Sequence, residues 1–368
     1  MSSSQDIAPS IKLPLDTQVA FEDHPDFNEW LNSRYPTITF GDYSYDPAEV
    51  LFKTDPTAYA ELLNDFQTLE TEEDALGTPE YLSLRRKVCD NYPPMIAYSC
   101  NRVFDSVKYK ERLERLRDVW ETTLHVLHAF AIAEYRLRRL KFSDAGIKLP
   151  NLFSDKIHQR VENVRFLLES AARLGVHLDC HNLMTISVLD DIANLNSDVR
   201  NEFSHVQSLS EWQAKNLFAE VLPKVKAILL NLENLEKMSV RRLLGIKGSI
   251  FEMEFEEFNG QSTRPQTRLV LVDQSQLAIW GAALQEKNTL TEVQGTLWTL
   301  SPFIYINRET SKRHYPELWF LKRKHGEIKP KKLQSCILEY EVMDSSNQET
   351  VKAEHFKADI LDILSLFQ

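Results

Sequence analysis

Cysteine is scarce in this chain, four in 368 residues, and Cys89, Cys100, Cys180 and Cys336 stand far apart with no Cys-x-x-Cys spacing. That argues against a disulfide framework or a cysteine-rich zinc site and for reduced structural thiols. Cys180 adjoins His181, but no second ligand pair follows at metal spacing, so no metal is expected. Glycine is equally sparse, 10 of 368. No glycine-rich phosphate loop occurs, which removes support for a kinase or an NTPase. No apolar run reaches the ~18 residues of a membrane span. The opening MSSSQDIAPSIKLPLD lacks the basic-then-apolar order of a signal peptide. The expectation is a soluble, cytoplasmic protein with no membrane contact and no cofactor. Positive charge is short too: 43 Lys and Arg face 54 Asp and Glu, a net charge of −11. Contact with nucleic acid must therefore come from a local basic patch, because the surface as a whole is not basic.

What is present is an ordinary globular composition, 43% hydrophobic and 26% charged, in a chain long enough for two or three domains. Residues 1–54 are rich in Pro, Asp, Ser and aromatics without sustained period, and form an expected N-terminal extension. From Asp55 the pattern turns helical: Asp55 is a plausible N-cap, Pro56 sits in the first turn, and Tyr59, Leu62, Leu63 and Phe66 line one face. Two further segments, PEYLSLRRKVCDNY and PPMIAYSCNRVFDS, are each opened by proline. In the long segment from Ser106 to Phe142, Leu113, Leu116, Trp120, Leu124, Leu127, Ala131 and Tyr135 recur at three- and four-residue steps, the stripe of a bundle's central rod. Ile157, Val161, Val164, Leu168 and Ala171 repeat the pattern up to Gly175, a natural C-terminal cap. SLSEWQAKNLFAEVLPKVKAILLNLENLEKM is helical again, with a kink or break expected at Pro223.

Near Gly245 the period changes from 3.6 to 2. SIFEMEFEEF alternates Phe251, Met253 and Phe255 with Glu252, Glu254 and Glu256, which predicts a half-buried strand with an acidic outer face. Further strand segments follow, and HFKADILDILSLFQ closes the chain as an amphipathic helix. The expected fold class is α+β: an extension (1–54), a central antiparallel helical bundle (55–244) and a β-rich accessory domain (245–368) with a closing helix.

Within the bundle, SDVRNEFSHVQ places Arg200, Asn201 and His205 in the order R-N-x-x-x-H. On a helix at ~100° per residue, Asn201 and His205 share a face, while Arg200 points about 140° from His205. An imidazole with a pKa near ~6.5 can take or give a proton at neutral pH. A guanidinium stays charged and grips phosphate bidentately. Together they suffice for metal-independent RNA cleavage. His205 would act as general base or acid and Arg200 as phosphate clamp, with Asn201 orienting the imidazole or the scissile group. The RNA's own 2′-hydroxyl would attack and leave a 2′,3′-cyclic phosphate. The structural alternative has Arg200 paired with Glu202 or Asp198, and His205 capping the helix or satisfying a buried carbonyl.

The motif RNEFSH, the terminal helix after it, and the Pro-led apolar helix before a long one resemble the HEPN superfamily, across roughly Asp90 to Met238. The resemblance implies a helical-bundle ribonuclease of the prokaryotic defence or toxin type. It also implies a composite site formed where two copies meet as a homodimer, and RNA as the partner, with a regulatory protein or antitoxin as a further one. The rival readings are a non-catalytic adaptor whose β domain binds a partner, and a regulator that senses a phosphorylated small molecule through Arg200.

One basic stretch stands out, RETSKRHYPELWFLKRKHGEIKPKK. Lys312, Arg313, Lys322, Arg323 and Lys324 with Trp319 could hold single-stranded RNA by charge and stacking, although a solvated hairpin has the same composition. Asp42 to Glu80 carries eleven acids and the single lysine Lys53, so it could dock on that stretch or form a solvated linker. His125 and His128 on the long helix fit a core or interface role better than metal ligation, because their spacing is three.

Overall fold

The computed structural model describes residues 21–35, 37–40, 43–70, 75–204, 206, 209, 211–236, 238–247, 251–281, 283–284, 288–308, 315–343 and 348–368. These fall into two compact units, one within 1–73 and 210–213, the other within 74–209 and 214–368. The smaller unit contains α1 (Pro25–Arg34), the antiparallel pair β1 (Ile38–Phe40) and β2 (Tyr43–Tyr45), α2 (Pro47–Thr54) and α3 (Pro56–Glu70). Each of these helices opens on a proline, whose missing N–H and fixed φ suit a first turn. Their core is aromatic: Phe27, Trp30, Tyr59 and Phe66 are buried, and Trp212 meets Trp30 edge-on at 5.7 Å. The extension expected to end at residue 54 therefore continues through α3, because Tyr59 and Phe66 complete its core.

The larger unit begins with α4 (Pro79–Asn91), α5 (Pro94–Asp105), α6 (Tyr109–Leu137), α7 (Leu149–Leu152), α8 (Ile157–Arg173), α9 (Cys180–Leu183), α10 (Ile186–Ser204) and, from Ala214 onward, α11 (Glu211–Leu230). Gly175 ends the α8 segment with φ +69, the left-handed value glycine adopts freely. Pro223 lies inside α11, which runs through it unbroken. The strands follow: β3 (Val240–Ile246), β4 (Glu252–Phe258), β5 (Gln266–Leu271), then α12 (Gln274–Trp280), β6 (Thr289–Val293), β7 (Thr296–Thr299), β8 (Ile304–Asn307), β9 (Glu317–His325), β10 (Ile337–Val342), β11 (Gln348–Lys352) and the closing helix α13 (Lys357–Ser365). They pair antiparallel in a five-stranded sheet, order β5-β4-β3-β6-β7, and a four-stranded sheet, order β11-β10-β9-β8. The fold is α+β with a C-terminal closing helix.

A second, smaller cluster around Phe255 and Trp280 lies between the five-stranded sheet and α12, but helices and strands of this unit share one large core instead of dividing at residue 245. α6 is the reason. Its sequence stripe predicts one buried face, yet every residue from Val126 to Arg136 is buried. That stretch, VLHAFAIAEYR, is apolar nearly all round, and such a helix must be covered on all sides. α5 and α8 pack against it, and on another face Phe130 meets Trp298 at 6.1 Å and His128 meets Phe303 at 5.6 Å.

Its two charges are satisfied internally, as buried charges must be. Glu134 accepts the backbone N–H groups of Asp179 (2.7 Å) and Cys180 (2.8 Å) at the start of α9. Arg136 pairs with Asp359 (2.9 Å) and Asp362 (3.0 Å) on α13 and donates to the Ser301 carbonyl at 2.5 Å. The acidic outer face expected of β4 is also only partial. Glu256 and Glu257 are buried, and Glu257 is paired with Arg268 at 3.3 Å across the strand pair.

Candidate functional site

The R-N pair of the sequence motif falls in the last turn of α10, where the backbone of Arg200 and Asn201 is helical; their side chains and all of His205 lie outside the described residues. Helix α10 is anchored by a buried stripe of Val188, Leu189, Ile192, Leu195 and Val199 at three- and four-residue steps, and Val206 beyond its end is buried as well. In the basic stretch, Lys312 and Arg313 also lie outside the described residues. Trp319 is 3% exposed, its ring packed on Tyr305 and Tyr340, so as folded it offers no face to a base. Lys322, Arg323 and Lys324 alternate along β9. Arg323 is tied to Glu339 at 2.8 Å, Lys324 donates to the Gly326 carbonyl at 3.2 Å, and Lys322 points the other way from Arg323, into a cavity.

That cavity, about 430 Å³, lies where α5, α6 and the start of α8 meet β9 and β10. Helix α6 supplies Asp118, Glu121, Thr122 and His125, at i, i+3, i+4 and i+7 on one face. Opposite them stand Arg160 from α8, Arg102 from α5, Lys322 from β9 and Glu341 from β10. The register of β9 against β10 pairs Arg323 with Glu339 and Leu321 with Tyr340, leaving Lys322 as the extra residue of a bulge. A bulge withdraws one residue from the ladder, and here its freed carbonyl is taken up by Arg160.

Arg160 is 6% exposed and fixed by four neutral acceptors. Its Nε donates to the Ser154 carbonyl (2.9 Å), Nη1 to His125 Nδ1 (2.5 Å), and Nη2 to the carbonyls of Lys322 (2.8 Å) and Leu321 (3.3 Å). Burial pushes this guanidinium down to about 10. Burial, helped by the Arg160 charge, holds His125 well below the usual imidazole range. The ring is therefore neutral, with the proton on Nε2 donated to the Leu321 carbonyl and Nδ1 left to accept from Arg160. Burial likewise holds His128 down; Asn163 reaches its Nε2 at 3.2 Å. Both histidines serve the core, as their spacing suggests, and among the described residues no group of three His, Cys, Asp or Glu could hold a metal ion.

Three carboxylates of the cavity behave alike. Burial pushes Asp118, Glu121 and Glu341 above the usual range, against the pull of Arg117, Arg115 and Lys322. Water reaches these groups, but protein surrounds them on most sides. Their pairings are long: Arg115 to Asp118 at 3.3 Å, Arg117 to Glu121 at 3.6 Å, Lys322 to Glu341 at 3.8 Å. Because folding raises the Glu121 value, its stability contribution is full below the unfolded carboxyl value of about 4.3 and is lost as pH rises through the folded value. Glu121→Gln is therefore expected to flatten the fall of melting temperature between pH ~4 and ~7. A pH series of thermal denaturation in which the variant falls as steeply as the wild type would contradict this.

Sequence reasoning singled out Lys322 and His125, assigning the first to a surface and the second to a core or interface role, and passed over the rest of the cavity. One feature could have pointed there: polar Asp118, Glu121, Thr122 and His125 share the face of α6 opposite its apolar stripe of Leu113, Leu116, Trp120, Leu124 and Leu127.

No family model, curated protein or solved structure matches the chain. What fold and site define is an α+β protein whose central helix is enclosed by helices and sheet, with a charged cavity at their junction. Among the described residues, no helix is long and apolar enough to cross a membrane.

Proposed function

We propose that the chain is a metal-independent endoribonuclease acting through Arg200, Asn201 and His205, with two copies meeting as a homodimer to complete the site. The observation that carries the reading is the helix succession. A Pro-led α5 packs on the long α6, α6 on α8 and α8 on α10; the Arg-Asn pair falls in the last turn of α10, and α11 follows. This is the order that the HEPN resemblance implies. Buried Val199 and Val206 on either side of the motif support it further, since both ends of the segment are anchored in the core. In this reading His205 takes the 2′-hydroxyl proton or protonates the leaving oxygen, Arg200 binds the phosphate as charge develops, and Asn201 orients the reacting groups. By the same resemblance, RNA destruction in anti-phage defence or toxin-antitoxin growth arrest is the proposed biological role, with an antitoxin or trigger as regulator.

The test is incubation of the purified protein with a labelled single-stranded RNA in the presence of EDTA, with analysis of the new ends. Cleavage leaving 2′,3′-cyclic phosphate, and none when the scissile nucleotide is 2′-deoxy, is the expected result. Intact RNA, or ends bearing a 3′-hydroxyl, would overturn the mechanism.

A further inference from the structure

We infer that the cavity between α5, α6, α8 and the bulge of β9 is a binding site for a small phosphate-bearing molecule. The inference is independent of the ribonuclease reading and stands on unequal charge pairing. Arg160 is buried, and all four of its hydrogen-bond acceptors are uncharged. Among the described residues no carboxylate lies within ion-pair distance of it. A guanidinium buried with no carboxylate in direct contact is costly to keep, and the cavity beside it, which Asp155 and Glu121 line at longer range, offers the place where a closer counter-charge can enter.

Arg102 is the second such group. It lies on the α5 wall of the same cavity with its guanidinium over the Tyr98 ring at 5.7 Å, and no ion pair among the described residues engages it. The remaining cations, Arg115, Arg117 and Lys322, face their acids at 3.3 to 3.8 Å, distances that leave donors open to a better acceptor. Two guanidiniums without a direct ion pair, with a lysine beside them, match the several oxygens and the negative charge of a phosphate group, which arginine binds through paired donors.

The volume, about 430 Å³, lies within the range of about 300 to 1,000 Å³ typical of small-molecule sites. Phe320 and Met95 give apolar wall for the rest of the ligand, and Glu121 and Glu341 offer acceptors for its N–H or O–H groups. The bulge explains why Arg160 is held here: it releases the Lys322 carbonyl to accept from the guanidinium, while the Lys322 side chain lies on the cavity face with Phe320.

Isothermal titration of the full chain with inorganic phosphate, pyrophosphate and AMP tests the inference. The variants are Arg102→Gln and Lys322→Met, since Arg160 also braces the fold and its variants can fail through misfolding. The expected result is saturable binding of at least one probe. That binding should weaken about tenfold or more in Arg102→Gln and in Lys322→Met, the loss of one charge-assisted contact each, with unliganded melting temperatures unchanged. His205→Ala should bind as the wild type does, which separates this site from the cleavage motif. Binding of every probe weaker than about 1 mM, or full affinity retained in both variants, would overturn the inference. A short RNA that displaces pyrophosphate one for one would assign the phosphate to nucleic acid and overturn the small-molecule form of it.

Discussion

His205→Ala is expected to slow RNA cleavage by about two to four orders of magnitude, the range that a positioned general acid or base supplies. That is about 3 to 5 kcal/mol of lost transition-state stabilisation. The chemistry needs a proton taken from the 2′-hydroxyl and another given to the departing 5′-oxygen, and an imidazole that titrates near neutrality can do either. Arg200→Lys keeps a positive charge but loses the planar fork, so it should reduce the rate while leaving the pH profile in place. His205→Ala should instead remove the limb of the profile that the imidazole provides. Single-turnover cleavage across pH separates the two effects. An alanine variant cutting at the wild-type rate would return the motif to a structural role, with Arg200 paired to a neighbouring acid and His205 capping a helix.

Arg136→Met should cost the larger unit about 3 to 5 kcal/mol, because removing one member of a buried ion pair strands the others. The guanidinium joins the end of α6 to the Ser301 carbonyl and to Asp359 and Asp362 of the closing helix. Its loss leaves a dehydrated carboxylate and an unpaired carbonyl. A fall in melting temperature on the order of 10 °C follows. The deficit should depend on pH with a definite sign. Burial already pushes the Asp359 carboxyl above its usual range, and Arg136 opposes that rise. Without the arginine the carboxyl rises further, so the native variant binds a proton that the unfolded chain releases. Its stability is then best at low pH and is lost as pH increases through the raised value. The variant should accordingly lag the wild type less at pH ~5 than at pH ~8. Arg139→Gln, which touches the same Asp362 from an exposed position, should cost at most ~1 kcal/mol. Equal losses in the two variants would refute this account of the clasp.

Local pattern and distant packing divide what could be read in the sequence from what could not. The steps of Leu113, Leu116, Trp120, Leu124 and Leu127 define α6, Gly175 closes the α8 segment, and the alternation through Met253 and Phe255 gives β4, since each rests on neighbours in the chain. The partners of α6 do not appear in that pattern. A stripe indicates which residues turn inward, whereas Val126 to Arg136 are buried from every side by segments as distant as Trp298 and Asp359. Hence a domain boundary drawn where the period changes, near residue 245, cuts through one core. The same reasoning applies to Trp319, which sits among lysines and arginines in sequence while the pleat turns its indole inward. The cavity was hardest to foresee. Arg102, Glu121, Arg160, Lys322 and Glu341 come from five elements, and Lys322 shares the cavity face of β9 with Phe320. For the motif, sequence supplied the residues and the fold supplied the helix that carries the Arg200–Asn201 pair.

The enclosure of α6 also sets a clock. Amide protons between Val126 and Arg136 are bonded within the helix and roofed on all sides, so no local fraying can expose them to deuterium. They should exchange only through opening of the whole larger unit, and so report its global free energy. Amides in β5, an edge strand whose side chains are almost all exposed, should exchange orders of magnitude faster through local openings. The slowest isotope exchange in the molecule would thereby mark the helix that the sequence showed as merely amphipathic.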